Sequence, residues 1–391
     1  MSRPTILCVA SHLKGFHFIR EAHRLGCHVL LLTHEKLLNE PWPRECLDDV
    51  FALPNFDDPA MVRNVVTYLG RERRIDRLVP LGDYDVEVTA QLREHLRMPG
   101  MGVTASLYFR DKLAMRQRAR ERGVPVPEFT GLFHYPDVAH FLQTVPGPWV
   151  LKPRMEAGSK GIQLIEHPEQ LWRALDELGD QASLYLLEKF IQGELYHVDS
   201  VVKDRQVIFA SAQKYGKPIL ALKQQGGVYS TVTLPRGSEE EQSLQALNRD
   251  VIAALGLERG VTHIEYFRDA EGRCYFLEAA CRVGAAKIPD VIFYATGVCL
   301  WHEWAKLEAE TPEHPYVLPV PQHDYAGVVL SVANQERPDT ARYTDPEIVW
   351  RQATRKHHVG LLVKSPDPER VRALIQDYAR RIPAEFCGAM V

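Results

Sequence analysis

The chain has 391 residues, a formal charge of −4, 45% hydrophobic and 25% charged residues, an ordinary balance for a globular protein with length for two or three domains. Without a basic run it does not read as a nucleic-acid binder, and no apolar stretch approaches the length of a membrane span. The opening MSRPTILCVASH reads as a first strand rather than a signal peptide, and seven cysteines scattered without a C-x-x-C pair fit reduced thiols in a cytoplasmic protein.

Residues 5–10 form a buried-strand run, 15–25 a helical pattern closed by Gly26, and 28–32 a second strand. A strand at 50–53, a helix opened by Asp58-Pro59 and a strand at 77–81 continue the alternation, which predicts a parallel, doubly wound α/β sheet for about the first hundred residues. The first turn, from Ala10 to Gly15, lacks G-x-G-x-x-G, which argues against a dinucleotide site. Asp83, Asp85 and Glu87 follow the fourth strand at its carboxyl end, where open α/β sheets bind ligands, although acidic residues opening a helix equally serve its dipole.

Residues 106–122 read as one basic helix ended by Gly123, and the two prolines of VPVPEF then force an extended segment with which a new unit begins. A strand at 149–152 ends in Lys152 and runs into PRMEAGSKG, where Gly158, Ser159, Lys160 and Gly161 can lay backbone N–H groups on a phosphate. The same letters also describe a plain hairpin turn. After a helix at 168–179 and a strand at 184–187, Glu188, Lys189, Phe190 and Ile191 lead into a Gln192-Gly193 turn and Glu194. This is either a connector with surface charges or a hinge whose backbone meets an adenine edge while Glu194 accepts from a ribose. Strands at 206–213 and 228–234 bracket Lys214, Lys217, Lys223 and Gln224-Gln225-Gly226-Gly227, a basic loop able to close over a triphosphate or simply a solvated hairpin loop.

The most informative stretch follows a helix at 239–256. Residues 263–268 and 273–279 alternate as two strands, and with Glu271-Gly272 as a two-residue turn Glu265 faces Glu278 and Phe267 faces Phe276. Facing carboxylates have Cβ atoms about 5 Å apart and repel unless a cation lies between them. Oxygen-only donors favour Mg²⁺ or Mn²⁺, with Arg282 four residues on to hold a phosphate. The plain alternative is a hairpin whose glutamates face solvent. Helices at 288–296 and 299–310 lead to a proline-rich connector, and 325–391 offer strands at 326–332 and 359–364 and a helix opened by Asp367-Pro368.

Taken in order, the basic helix with Asp111-Lys112, Val-Leu-Lys152-Pro with GSKG, Glu188-Lys189-Phe190-Ile191 with Gly193-Glu194, and Glu265 and Glu278 ahead of Arg282 resemble the ATP-grasp superfamily over nearly the whole chain. The resemblance implies a Rossmann-like α/β domain at 1–105, an α+β ATP-grasp domain at 106–312 divided near 186, and a small C-terminal domain at 313–391. It implies that Lys112, Lys152, Lys214 and the loop residues Gly158, Ser159, Lys160 and Gly161 serve the phosphates of ATP. Glu188, Lys189, Phe190 and Ile191 would serve the adenine, Glu194 the ribose, Glu265 and Glu278 the metal, and Arg282 and Lys152 catalysis. Most of the superfamily carries Glu-Ile-Asn-Pro-Arg where this chain has Glu278-Ala279-Ala280-Cys281-Arg282; the Thr-His-x-Glu strand and E-x-A-x-R segment are similar to the L-amino-acid (dipeptide) ligase branch. The expected function is ATP-dependent carboxylate–amine ligation through an acyl phosphate, on small-molecule acids and amines, with self-association into a homodimer as the one protein partner expected. A bicarbonate-activating carboxylase-type enzyme and a catalytically inactive ATP-binding regulator are the rival readings.

Overall fold

The structure, a computed structural model, describes residues 3–217 and 227–387, so Lys223 and Gln224-Gln225-Gly226 of the basic loop lie outside the described residues. Four parallel strands come first: β1 (Thr5–Ala10), β2 (His28–His34), β3 (Asp49–Leu53) and β4 (Arg77–Pro80), in the order β3-β2-β1-β4. Their unbroken apolar runs follow from burial on both faces, Ile6, Cys8 and Ala10 packing into one core while Leu7 and Val9 pack into another. Asp58 caps the helix Pro59–Leu69 by accepting from the N–H groups of Ala60 and Met61.

The basic segment is not one helix. A short helix, Val103–Leu107, ends and a second, Lys112–Glu121, starts again at Asp111, whose carboxylate accepts from the N–H groups of Leu113 and Ala114 and from the Arg154 guanidinium. A buried aspartate satisfied as an N-cap fixes a helix start, and here it puts Lys112 at the first helical position.

A small antiparallel sheet follows, made of β5 (Phe129–Gly131), β6 (Trp149–Pro153), β7 (Gln163–Ile165) and β8 (Tyr185–Lys189) in the order β5-β8-β6-β7. The largest sheet contains β9 (Glu194–Lys203), β10 (Gln206–Tyr215), β11 (Tyr229–Thr233), β12 (Gly260–Arg268), β13 (Cys274–Ala280), β14 (Tyr325–Val332), β15 (Ile348–Arg351) and β16 (His358–Ser365), ordered β13-β12-β9-β10-β11-β14-β16-β15. The chain beyond residue 313 thus extends the central sheet through the β11–β14 pair and builds no sheet of its own. Sequence reasoning passed over β5, β15 and the helix Tyr135–Thr144.

Strand alternation divides the central sheet into two faces. Tyr196, Val198, Ile264, Tyr266, Phe276 and Ala279 turn toward the helix Glu239–Leu255 and form one apolar core. The opposite face carries His197, Asp199, Gln213, Tyr215, His263 and Glu265, and it faces the candidate site.

Candidate active site

Glu265 and Glu278 are cross-strand partners, as the sequence predicts, but the register reaches them by another route. The turn holds three residues, Ala270, Glu271 and Gly272: the Asp269 N–H bonds to the Arg273 carbonyl, the Asp269 side chain accepts from the N–H groups of Glu271 and Arg273, and Gly272 takes φ 81°. This pairs Tyr266, and not Phe267, with Phe276. A bulge at Leu277 then shifts the register back by one residue, so Glu265 meets Glu278 after all, and both Leu277 and Glu278 reach the cavity.

That cavity, of about 210 Å³, lies between this sheet face and the 153–161 loop, and Lys112, Lys152, Glu265, Glu278 and Arg282 all line it. Each charge has a partner. Lys112 donates to Glu278 Oε1 at 3.0 Å and to the Glu156 carbonyl. Tyr215 donates its hydroxyl proton to Glu265 Oε1 at 2.9 Å. Lys152 and Arg116 share the Glu188 carboxylate, Arg116 Nε at 3.0 Å, and all three side chains are buried. Burial and the Arg116 charge pull the Lys152 ammonium down to about 8 against the attraction of Glu188, while burial of Glu188 is outweighed by the two cations, which hold its carboxyl below the usual range.

Arg282 is fixed from outside the central sheet: its Nε donates to Asp83 Oδ2 at 2.8 Å, so the carboxyl end of β4 reaches the end of β13. Asp83 is held below its ordinary range because Arg282, Arg110 and Lys14 overcome its burial. Asp85, two residues on, accepts from the Ser11 N–H at 2.8 Å but leaves its second oxygen without a partner, and burial raises it to about 6. Behind Glu265, His263 Nδ1 and His197 Nδ1 lie 3.0 Å and 2.7 Å from the two oxygens of Asp199. Burial opposes a charge on His263, but Asp199 and Glu265 prevail and lift it to about 9. Neither Arg116 nor this buried network was assigned a role from sequence, and Asp83, read there as a candidate ligand contact at the carboxyl end of β4, here holds Arg282. His263 was within reach, since it lies two residues from Glu265 on one strand face, whereas Asp199 becomes its neighbour only through the β9–β12 register.

Next to the cavity lies a largely apolar slot lined by Val150, Phe190, Ile191, Leu195, Phe267 and Leu277, together with Lys152, Ser159, Glu188, Lys189 and Glu265. Gly158, Ser159 and Gly161 all adopt positive φ (63°, 58° and 70°), so the loop turns sharply here, and Lys160 pairs with Glu156 at 3.5 Å. Two residues expected at the nucleotide, Glu194 and Lys214, line neither the slot nor the cavity. Leu195 faces the slot, so its strand neighbour Glu194 faces away; Lys214 lies directly opposite Tyr196 on that far face and donates to Glu194 at 2.6 Å. The expected ribose and phosphate contacts of Glu194 and Lys214 do not follow from this placement.

Residues 117–285 match the ATP-grasp domain and residues 19–100 the ATP-grasp N-terminal domain. The chain belongs to the ATP-grasp superfamily. It is 25% identical over 260 residues to the L-arginine-specific L-amino acid ligase of Bacillus subtilis, covering 65% of this chain and 62% of that one. It is 32% identical over 184 residues to a D-alanine–D-alanine ligase of Chromohalobacter salexigens, covering 46% and 57%. The matched region therefore spans about six-tenths of the length of these relatives. The ATP-grasp fold is shared over full length with the L-amino acid ligase of Bacillus licheniformis (TM-score 0.77, 19% identity, 99% and 98% coverage). It is shared also with the N5-carboxyaminoimidazole synthetase of Staphylococcus aureus complexed with ADP (TM-score 0.71, 16% identity, 96% of each chain). No helix among the described residues is long and apolar enough to cross a membrane.

Proposed function

We propose that this ATP-grasp protein is an ATP-dependent carboxylate–amine ligase. The reading rests on one observation: two carboxylates from facing strands and three cationic side chains from separate elements converge on one cavity beside an apolar slot. The slot suits a flat base, with Phe190 and Ile191 on the segment joining the small sheet to the large one. Lys112, Lys152 and Arg282 oppose the charge of a triphosphate and of a reacting phosphoryl group.

The donor set of Glu265 and Glu278, with Ala280 adding no oxygen, fits a hard divalent cation such as Mg²⁺ or Mn²⁺, and the Lys112 ammonium on Glu278 marks the same spot as suited to positive charge. When bound, such an ion neutralises phosphate oxygens. The substrate carboxylate attacks the γ-phosphorus and ADP leaves; an amine then attacks the acyl carbon, expelling phosphate and losing a proton as the amide forms. The chain's own part is to position and to shield: Glu188 orients Lys152, Asp83 orients Arg282, Tyr215 and His263 orient Glu265, and the 153–161 loop covers the cavity against water.

The test is ADP release with pooled amino acids as acids and amines, run with substrate carboxylate labelled with ¹⁸O. Transfer of one label to phosphate, dependent on both acid and amine, is the expected result. Release that depends on bicarbonate would favour the carboxylase reading, and tight ATP binding without stimulated turnover the inactive binder.

A further inference from the structure

A second cavity, about 470 Å³, opens along β4, from Arg77 to Pro80, and beside Gly260 at the start of β12. It falls in the range of small-molecule pockets, roughly 300–1,000 Å³. None of Lys112, Lys152, Glu265, Glu278 and Arg282 lines it, although Pro80 and Cys281, which do, stand three residues from Asp83 and one from Arg282. Three guanidinium groups, Arg77, Arg93 and Arg259, line the cavity with one inward carboxylate, Glu308.

These charges are loosely matched, unlike those in the first cavity. Arg259 gives its ion pair to Glu310 at 3.0 Å, outside the lining, and among the described residues Arg93 donates only to the carbonyls of Leu78 and Met101. Arg77 Nε stands 3.9 Å from Glu308 Oε2, beyond a hydrogen bond, and the one bond Glu308 accepts among the described residues is from the Trp304 indole at 3.3 Å. At the rim, Glu258 is taken by Arg205, and Asp204 is exposed. Within the cavity Arg77 and Arg93 therefore face Glu308 alone, two cations to one anion. Burial of Glu308 raises its carboxyl against the pull of Arg93, Arg259 and Arg77.

We infer that this cavity binds the carboxylate group of a small organic acid between Arg77 and Arg93. The planar forks suit bidentate recognition, and the single excess positive charge matches one carboxylate. The acid is either a simple carboxylic acid or a zwitterion such as an amino acid or short peptide, whose ammonium would turn to Asp204 at the rim. The inference does not depend on the ligase reading, because binding is measured without ATP or metal.

The experiment is calorimetric titration and thermal melting of the full chain with propionate and, separately, glycylglycine, against sodium chloride at equal ionic strength. A saturable melt increase with at least one acid is expected, and its identity separates the two sources. Arg77→Ala should weaken binding about tenfold or more. Ala105→Met, which fills the cavity and leaves every charge in place, should do the same, and both variants should keep basal ADP release. Shifts no larger than those of sodium chloride overturn the inference. So does binding that survives both substitutions, or that is lost in Arg282→Lys and kept in Arg77→Ala, which would move the ligand to the first cavity.

Discussion

The two faces of β9, β12 and β13 are built from the same three strands and solve opposite problems. On one, Tyr196, Val198, Ile264, Tyr266 and Phe276 bury apolar surface against the helix Glu239–Leu255, and this is where the hairpin acquires its stability. On the other, His197, Asp199, His263 and Glu265 are withdrawn from water and stay charged or polar by satisfying one another. The difference teaches that one face can hold buried charges against one another because the opposite face supplies the packing that keeps the strands in place.

The sharpest way to break this division is to attack the apolar side. Phe276→Ala should cost about 3–5 kcal/mol of stability through the cavity it leaves, measured by denaturant unfolding, with ADP release per folded molecule little changed. A large loss of turnover without loss of stability would mean that the faces are not separable.

Glu278→Gln tests the polar side. Turnover should fall about 10²–10³-fold, as for loss of one preorganised electrostatic group. Relief of glutamate–glutamate repulsion would by itself leave the metal-free protein unchanged or slightly more stable. The structure predicts a loss instead, about 1–3 kcal/mol in thermal melts without metal, because the buried Lys112 loses its acid.

Asp85→Asn should stabilise. The folded carboxyl is raised to about 6 from 3.8, so the folded state holds a proton that the unfolded state has lost between those values, and stability falls as pH rises through that window. Asparagine can still accept from the Ser11 N–H and carries no charge. A gain on the order of 1–3 kcal/mol is expected at pH 7.5, fading below pH 4. A gain independent of pH would show that the charge is not its source.

The smallest effect belongs to Glu194. Its pair with Lys214 is exposed and on the face away from the slot, so Glu194→Ala should change stability by less than about 1 kcal/mol and leave the KM for ATP nearly unmoved. A strong rise in KM would return Glu194 to the ribose.

How much of this was legible depends on how far apart the cooperating residues lie along the chain. The parallel sheet, the Asp58 cap and the Glu265–Glu278 pairing are local signals, and all are found in the structure. The glutamate pairing was nonetheless reached past two hidden slips of opposite sign, the three-residue turn and the Leu277 bulge, neither of which alternation reveals. Phe267 and Phe276, between the two slips, show the error uncorrected. Asp83 with Arg282 and Arg116 with Glu188 are separated by 199 and 72 residues, and only the packing of whole sheets brings them together. Glu194 and Lys214 pair with each other on the face away from the slot, a placement that motif order does not reveal.

The helix capped by Asp111 carries two of the site's cations. Each residue along a helix turns the next side chain by about 100°, since 3.6 residues complete a turn. Lys112 and Arg116, four apart, lie along one line of that cylinder and aim at Glu278 and Glu188. The capping aspartate is therefore the angular origin for both cations. A single residue inserted between Asp111 and Lys112 would lengthen the helix by one residue and leave it as well capped as before, yet would rotate both ammonium and guanidinium away from their acids.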